Sequence, residues 1–242
     1  MSETDRSRSF LDGARVDDAV FGLRPDYRAL LVAVDGIVPS SGDRASEELL
    51  VRAEASARTL LSQQPVDLVP HVAAWRDAYR AFGVKPQRMR NSLEALLRRA
   101  ATDGLPRVNR LTDLYNAVSV LHLVPVGGED LPSYAGPPRL VRASGAETFD
   151  TTVDGAAVID HPEVGEVVWC DEDGVTCRRW NWRQGRRTRL RDGTTSALFI
   201  FDALDPMTDD ALHAAVRELI EHLSASAPGL AVATRHITPG TD

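Results

Sequence analysis

A chain of 242 residues, 43% hydrophobic and 26% charged, is long and apolar enough to bury a sizeable core as one large domain, with or without an N-terminal extension. Its formal charge of −7 argues against strong indiscriminate nucleic-acid binding, which is chiefly phosphate neutralisation. The longest apolar run, Ala29–Val34, is far too short to cross a bilayer, and the polar opening from Met1 to Ser9 has no apolar segment of signal-peptide length, so no membrane contact and a cytoplasmic location are expected.

Residues 1 to about 20 are polar and read as a poorly ordered tail, the domain proper spanning 21–235 and a short tail 236–242. Tyr27 to Val38 contains a continuous apolar run that reads as a buried strand. Ser40-Ser-Gly-Asp43 offers N-caps for a helix reaching Gln63, with Leu49, Leu50, Ala53, Ala57 and Leu60 as its apolar face. A second helix, Val72 to Phe82, places Val72, Trp75, Tyr79 and Phe82 on one side and ends at Gly83. Asn91 with Glu94 resembles a capping box for a third helix through Ala100, stopped by Asp103-Gly-Leu-Pro106.

A fourth helix, Arg110 to Leu121, turns Leu111, Leu114, Val118 and Leu121 to one side. Asn109, Asp113 and Asn116 fall on the opposite side if Asn109 is drawn into the first turn. Two amides and a carboxylate on one line can hold a ligand, and the same pattern is what an ordinary surface helix shows. From Arg139 onward short apolar or alternating runs predict strands at 139–142, 156–159, 166–170, 175–182 and 196–201, with the clearest hairpin turn at Asp173-Gly174. A last helix, Thr208 to Ser224, and a closing strand, Leu230–Thr234, complete an α+β order in which helices pack on a mixed or antiparallel sheet.

Charge is unevenly placed. Arg76 to Arg110 carries +6 and Arg178 to Arg191 carries +7, leaving −20 on the remainder. An acidic body with two basic segments suits a localised polyanion contact, unless those arginines are solvated or paired with the surplus acids. Cys170 and Cys177 flank a hairpin turn, without metal-ligand spacing, and read as two reduced thiols in a strand pair. No Gly-rich phosphate loop, His-Glu-x-x-His or Gly-x-Ser-x-Gly pattern occurs, so no metal, no cofactor and no covalent serine or cysteine nucleophile are expected. In Cys177-Arg-Arg-Trp-Asn-Trp-Arg-Gln-Gly185, a strand would project Trp180 and Trp182 to one face and Arg179, Asn181 and Arg183 to the other. Aromatics beside arginines provide stacking surfaces and phosphate contacts, and a core-facing tryptophan pair with a solvated arginine face shows the same pattern.

Together, the Val108-Asn109…Asp113…Asn116…Pro125…Asp130 series, the Asp171–Gly174 turn, Thr194-Thr195 and the Ala197–Phe201 run resemble the B3/B4 editing module of the bacterial phenylalanyl-tRNA synthetase beta subunit. The Trp75-Arg-Asp-Ala-Tyr-Arg-Ala-Phe-Gly83 helix and the Trp-Asn-Trp-Arg run are similar to its free-standing relatives, and the likeness is strongest over residues 70–205. The resemblance implies in-trans hydrolysis of a mischarged aromatic aminoacyl-tRNA, a second sieve for translation fidelity, without synthetase activity. It implies catalytic roles for Asn109, Asp113 and Asn116 and a substrate pocket with Trp180, Asn181, Trp182 and Thr194. It also implies RNA contacts from Arg76, Arg80, Arg178 and Arg183. The partner implied is the aminoacylated acceptor end of tRNA or an aromatic amino-acid derivative. Three positions depart from the family: Gly127 stands where a His is expected, Arg179–Trp182 replaces a Gly-rich bend, and the expected acid falls near Ile200, with Asp202 two residues on. A non-catalytic binding module for an aromatic amino acid or an RNA end is therefore a competing reading, and the acidic net charge motivates another, RNA-independent hydrolysis of small amino-acid esters or amides.

Overall fold

The computed structural model describes residues 3–241, with side chains from residue 5. In chain order the elements are α1 (Glu3–Asp12), β1 (Arg15–Val16), α2 (Asp18–Phe21), β2 (Arg28–Asp35), α3 (Arg44–Gln63), α4 (Pro70–Ala81), α5 (Ser92–Thr102), α6 (Arg110–His122) and β3 (Val126–Asp130). They continue as β4 (Arg139–Arg142), β5 (Phe149–Val153), β6 (Ala156–Asp160), β7 (Val167–Cys170), β8 (Val175–Arg178), β9 (Arg183–Gln184), β10 (Ser196–Ala203), α7 (Asp209–Ser224) and β11 (Ala231–Ile237). The fold is α+β, as expected.

The organising layer is an antiparallel four-stranded sheet in the order β11-β2-β10-β3. Alternation sends Leu30, Val32, Val34, Phe199 and Phe201 to one face, where α3, α5, α6 and α7 cover them. Leu31, Ala33, Leu198 and Ile200 go to the other face, against Trp75, Tyr79, Trp169 and Trp180. Both faces of β2 are thus buried, which is why its sequence is a continuous apolar run and not an alternating one. The second face is closed by a mixed sheet in the order β1-β4-β7-β8-β9, in which only β1 and β4 run parallel. His71 of α4 ties the layers together: its Nδ1 lies 2.7 Å from the Leu123 carbonyl and its Nε2 accepts from the Leu204 amide at 3.1 Å. Burial pushes its pKa down to about 4, so it holds these bonds as a neutral ring.

Three expectations are corrected. Residues 3–20 are not a loose tail: Leu11, Ala14 and Val20 are buried in the second core, and β1 pairs with β4. Their polar composition hid four isolated apolar anchors, Val16 being the fourth. The strand predicted through Trp182 stops at Arg178, because Arg179 and Trp180 adopt φ of 48° and 66° and turn the chain before β9. Trp180 and Trp182 therefore do not share a strand face. Finally, Val126–Asp130 and Phe149–Val153 are strands that were not expected; the paired glycines obscured the first. Cys170 and Cys177 are both buried free thiols.

Candidate functional site

On the mixed-sheet side of the four-stranded sheet, β3 and β10 pair so that Gly127 stands opposite Ile200 and Glu129 opposite Leu198. Gly127, Glu129 and Ile200, with Asp202, floor a cavity of about 240 Å³. Tyr115 and Asn116 of α6 form one wall, Ser92 and Leu96 of α5 a second, and the bend from Trp180 to Gln184 a third, with Trp169 and Cys177 behind it.

The floor carries two buried carboxyls. Glu129 is 1% exposed and accepts a hydrogen bond from the Tyr134 hydroxyl. Burial, with the Asp171 charge adding to it, pushes its pKa up to about 8. Asp202 is 2% exposed, and burial raises its pKa to about 7 against hydrogen bonds from Tyr27 and Asn181. The Tyr27 hydroxyl donates to it at 2.6 Å and Asn181 Nδ2 at 3.4 Å, while Tyr79 donates to Asn181 Oδ1 at 3.1 Å and so orients that amide. Both acids change charge near neutral pH inside a largely apolar pocket, which is the electrostatic mark of a functional cleft.

One polar group in the walls is left unpaired: the Ser92 hydroxyl is buried with no hydrogen-bond partner among the described residues, whereas the indole N–H groups of Trp169 and Trp180 face the Asp202 carboxyl and the Tyr27 hydroxyl. Buried polar groups are satisfied almost everywhere in native proteins, so an unpaired hydroxyl in a cavity wall is a place for a ligand's polar atom. In front of Gly127 the space is taken by Gln184: a Cβ at residue 127 would lie 3.0 Å from Gln184 Nε2, which donates to the Gly128 carbonyl at 2.9 Å. At the mouth, Trp182 lies between the guanidinium groups of Arg179 and Arg183, at 4.3 and 4.5 Å from its ring centroid.

The residues expected to line one site are divided by the structure. Asn109 is the N-cap of α6, its side chain accepting from the Thr112 amide at 2.9 Å, and Asp113 accepts from the Val108 amide at 2.9 Å. Asn116 alone of the three reaches the cavity. Asn181 and Trp182 line it, whereas Trp180 shows the cavity only an edge of a ring otherwise buried against Trp75 and Tyr27 at 5.2 and 4.9 Å between centroids. Thr194 lies outside it, donating to Asp130 Oδ1 at 2.8 Å.

Among the arginines expected at phosphate, Arg76 is buried against Glu94 and Arg178 makes a two-pronged contact with Glu166 at 2.8 and 2.7 Å. Arg80 pairs with Asp77 on the surface, and Arg183, at the mouth, meets no acid among the described residues. Glu129, Gln184 and Trp169 were missed by sequence reasoning. Asp202 was noted only as the acid nearest the place where the family resemblance expects one, and it carried a signal of its own as a lone acid inside the apolar run from Ala197 to Leu204.

Among the described residues no three His, Cys, Asp or Glu side chains gather as metal ligands, and no helix is long and apolar enough to cross a membrane. A family model described as the B3/4 domain matches residues 74–225. No curated protein sequence matches the chain. Among solved structures, an N-terminal fragment of the phenylalanyl-tRNA synthetase beta subunit from Pyrococcus horikoshii is similar, at 11% identity and a TM-score of 0.46 over 95% of this chain and 54% of that one. The chain thus spans about half the length of that fragment.

Proposed function

From the premise that this chain, matched over more than half its length, belongs to the B3/4 domain family, we propose that its 240 Å³ cavity binds an aromatic aminoacyl group esterified to an RNA end and hydrolyses that ester. The observation that carries the reading is the cavity's composition. Its aromatic and aliphatic walls suit an aromatic side chain, its buried carboxyls suit an ammonium, and the Asn116 amide and the unpaired Ser92 hydroxyl suit the polar atoms of an ester. Its volume falls below the usual range for drug-sized ligands and fits a ligand of amino-acid size.

In hydrolysis a water oxygen bonds to the ester carbonyl carbon, the bond to the ribose oxygen breaks, and the ribose hydroxyl leaves with a proton. Positioning that water beside the ester is the main service the pocket can render. Asp202 and Glu129 ionise near pH 7 and 8, so each is a carboxylate for part of the population at neutral pH and can take the proton that water gives up. The same ionisation strengthens the hold on an ammonium as the pH rises.

One observation favours binding without turnover: both carboxyls already accept a tyrosine hydroxyl of the chain itself, Tyr27 on Asp202 and Tyr134 on Glu129. The deciding experiment is a deacylation assay with phenylalanine-acceptor tRNA carrying tyrosine, another aromatic analogue or phenylalanine. Release of a tyrosyl or analogue ester that slows about two- to tenfold in Asn116→Ala, the worth of one hydrogen bond, supports the hydrolase. Saturable binding without release supports the binding module, and neither release nor binding overturns both.

A further inference from the structure

Behind the wall formed by Tyr115 and Gln184 lies a second, larger cavity of about 750 Å³. The two residues line both cavities and touch, the Tyr115 hydroxyl standing 3.4 Å from Gln184 Oε1. The partition is therefore one side chain thick.

The charge that reaches this place is selected from the +7 segment. Arg178 and Arg179 meet Glu166, Arg186 meets Asp150 and Arg187 meets Asp171. Arg183, Arg189 and Arg191 meet no carboxylate among the described residues, and all three line one of the two cavities: Arg183 the first, Arg189 and Arg191 the second. Surplus positive charge has thus been left on either side of the Tyr115–Gln184 partition and neutralised elsewhere.

The loop that bears Arg189 and Arg191 is anchored at both ends. The Asp130 amide donates to the Thr188 carbonyl at 2.7 Å, Glu129 and Arg189 form a backbone bridge, and the Thr194 hydroxyl accepts from the Arg191 amide at 3.1 Å while donating to Asp130. Thr194, expected to touch the substrate, is instead the fastener of this loop. One acid, Asp192, also lines the cavity and opposes the two arginines, leaving a net positive charge. Val108, half-exposed on the lip, adds an apolar surface.

We infer that this second cavity is a nucleotide-monophosphate site in which Arg189 and Arg191 grip the phosphate of the RNA end whose aminoacyl group occupies the first cavity. The inference rests on the preceding reading for what joins the two cavities, and on the arginines and the anchored loop for the phosphate itself. Guanidinium forks suit phosphate oxygens, and a cavity three times the size of the first has room for a nucleotide where the first has none.

The test is calorimetric titration of the full chain with adenosine 5′-monophosphate, with inorganic phosphate, and with tyrosinamide as a probe of the first cavity. The expected result is saturable, salt-sensitive binding of the nucleotide that weakens tenfold or more in Arg189→Ala/Arg191→Ala and strengthens in Asp192→Asn. Both changed residues are exposed, and unaltered tyrosinamide binding by the double variant verifies that it is folded. No nucleotide binding, or an affinity unchanged by the double substitution, overturns the site. Inorganic phosphate binding as tightly as the nucleotide overturns the nucleotide assignment in favour of a simple anion site. Failure of the first-cavity reading shows differently, as loss of tyrosinamide binding in the wild type with nucleotide binding intact.

Discussion

Two walls face each other across the small cavity, and they are built by opposite means. The α6 wall is regular: an N-capped helix whose apolar residues interlock with α3, α7 and the four-stranded sheet, and which turns Tyr115 and Asn116 to the ligand space. The bend wall is irregular: Arg179 and Trp180 hold left-handed backbone that glycine would adopt without strain, at a cost of about 1–3 kcal/mol each. That cost is offset by burying Trp180 completely among Trp75, Tyr27 and Phe82 and by Glu166, which accepts from both the Arg178 side chain and the Arg179 amide. Regular structure places a residue by its period, whereas a bend places it by what its neighbours bury.

If the bend depends on burial, the largest effects belong there. Trp180→Ala should cost about 3–5 kcal/mol of stability in chemical denaturation, while Trp182→Ala, two residues on at the cavity mouth, should leave stability nearly unchanged and weaken ligand binding. Equal losses for the two would erase the distinction between core and mouth. Arg178→Ala strands Glu166 in the interior and should likewise cost about 3–5 kcal/mol, against about 0.5 kcal/mol or less for Arg183→Ala. A neutral Arg178→Ala would return that residue to the set of free cations.

On the α6 wall the effects are smaller and separable by readout. Asn109→Ala removes the N-cap and should lower stability by about 0.5–2 kcal/mol, whereas Asn116→Ala should be read mainly in ligand affinity or turnover. A reversed pattern would exchange the structural and functional roles of the two amides. A separate prediction concerns pH. Asp202 binds its proton more tightly folded, with a pKa near 7, than unfolded, so the folded state gains protons and stability falls as pH rises from about 4 to about 7. Asp202→Asn, which still accepts from Tyr27, should flatten that slope in thermal melts taken across the range; an unchanged slope would assign the dependence to Glu129 or another group.

How much of this could be read in advance varied with the physics involved. The starts of α3 and α5 were legible from Asp43 and Asn91, because N-capping is a bond between a side chain and a backbone group three residues away, whereas the cap at Asn109 was read as a ligand-facing group. The buried strand β2 and the Asp173-Gly174 hairpin turn were legible for the same reason, period and turn chemistry being local. The role of the line Asn109, Asp113, Asn116 was not legible. Side chains of identical type become cap or ligand-facing group according to whether a neighbouring amide or an empty space stands in front of them, and at Asn109 and Asp113 it is an amide.

By itself, then, the amino-acid order determined the α+β element order, the apolar stripes that drive α3, α5, α6 and α7 onto one sheet face, and the presence of two basic segments. Only the tertiary structure decided which charges remain available. Ion pairing joins residues far apart in sequence, so Arg178 is consumed by Glu166 while Arg183, Arg189 and Arg191 stay free beside the cavities. It also decided that Glu129 and Asp202 become acids of near-neutral pKa, because desolvation is a property of the place a carboxyl ends in, set by a strand register that turns both toward the same enclosed space.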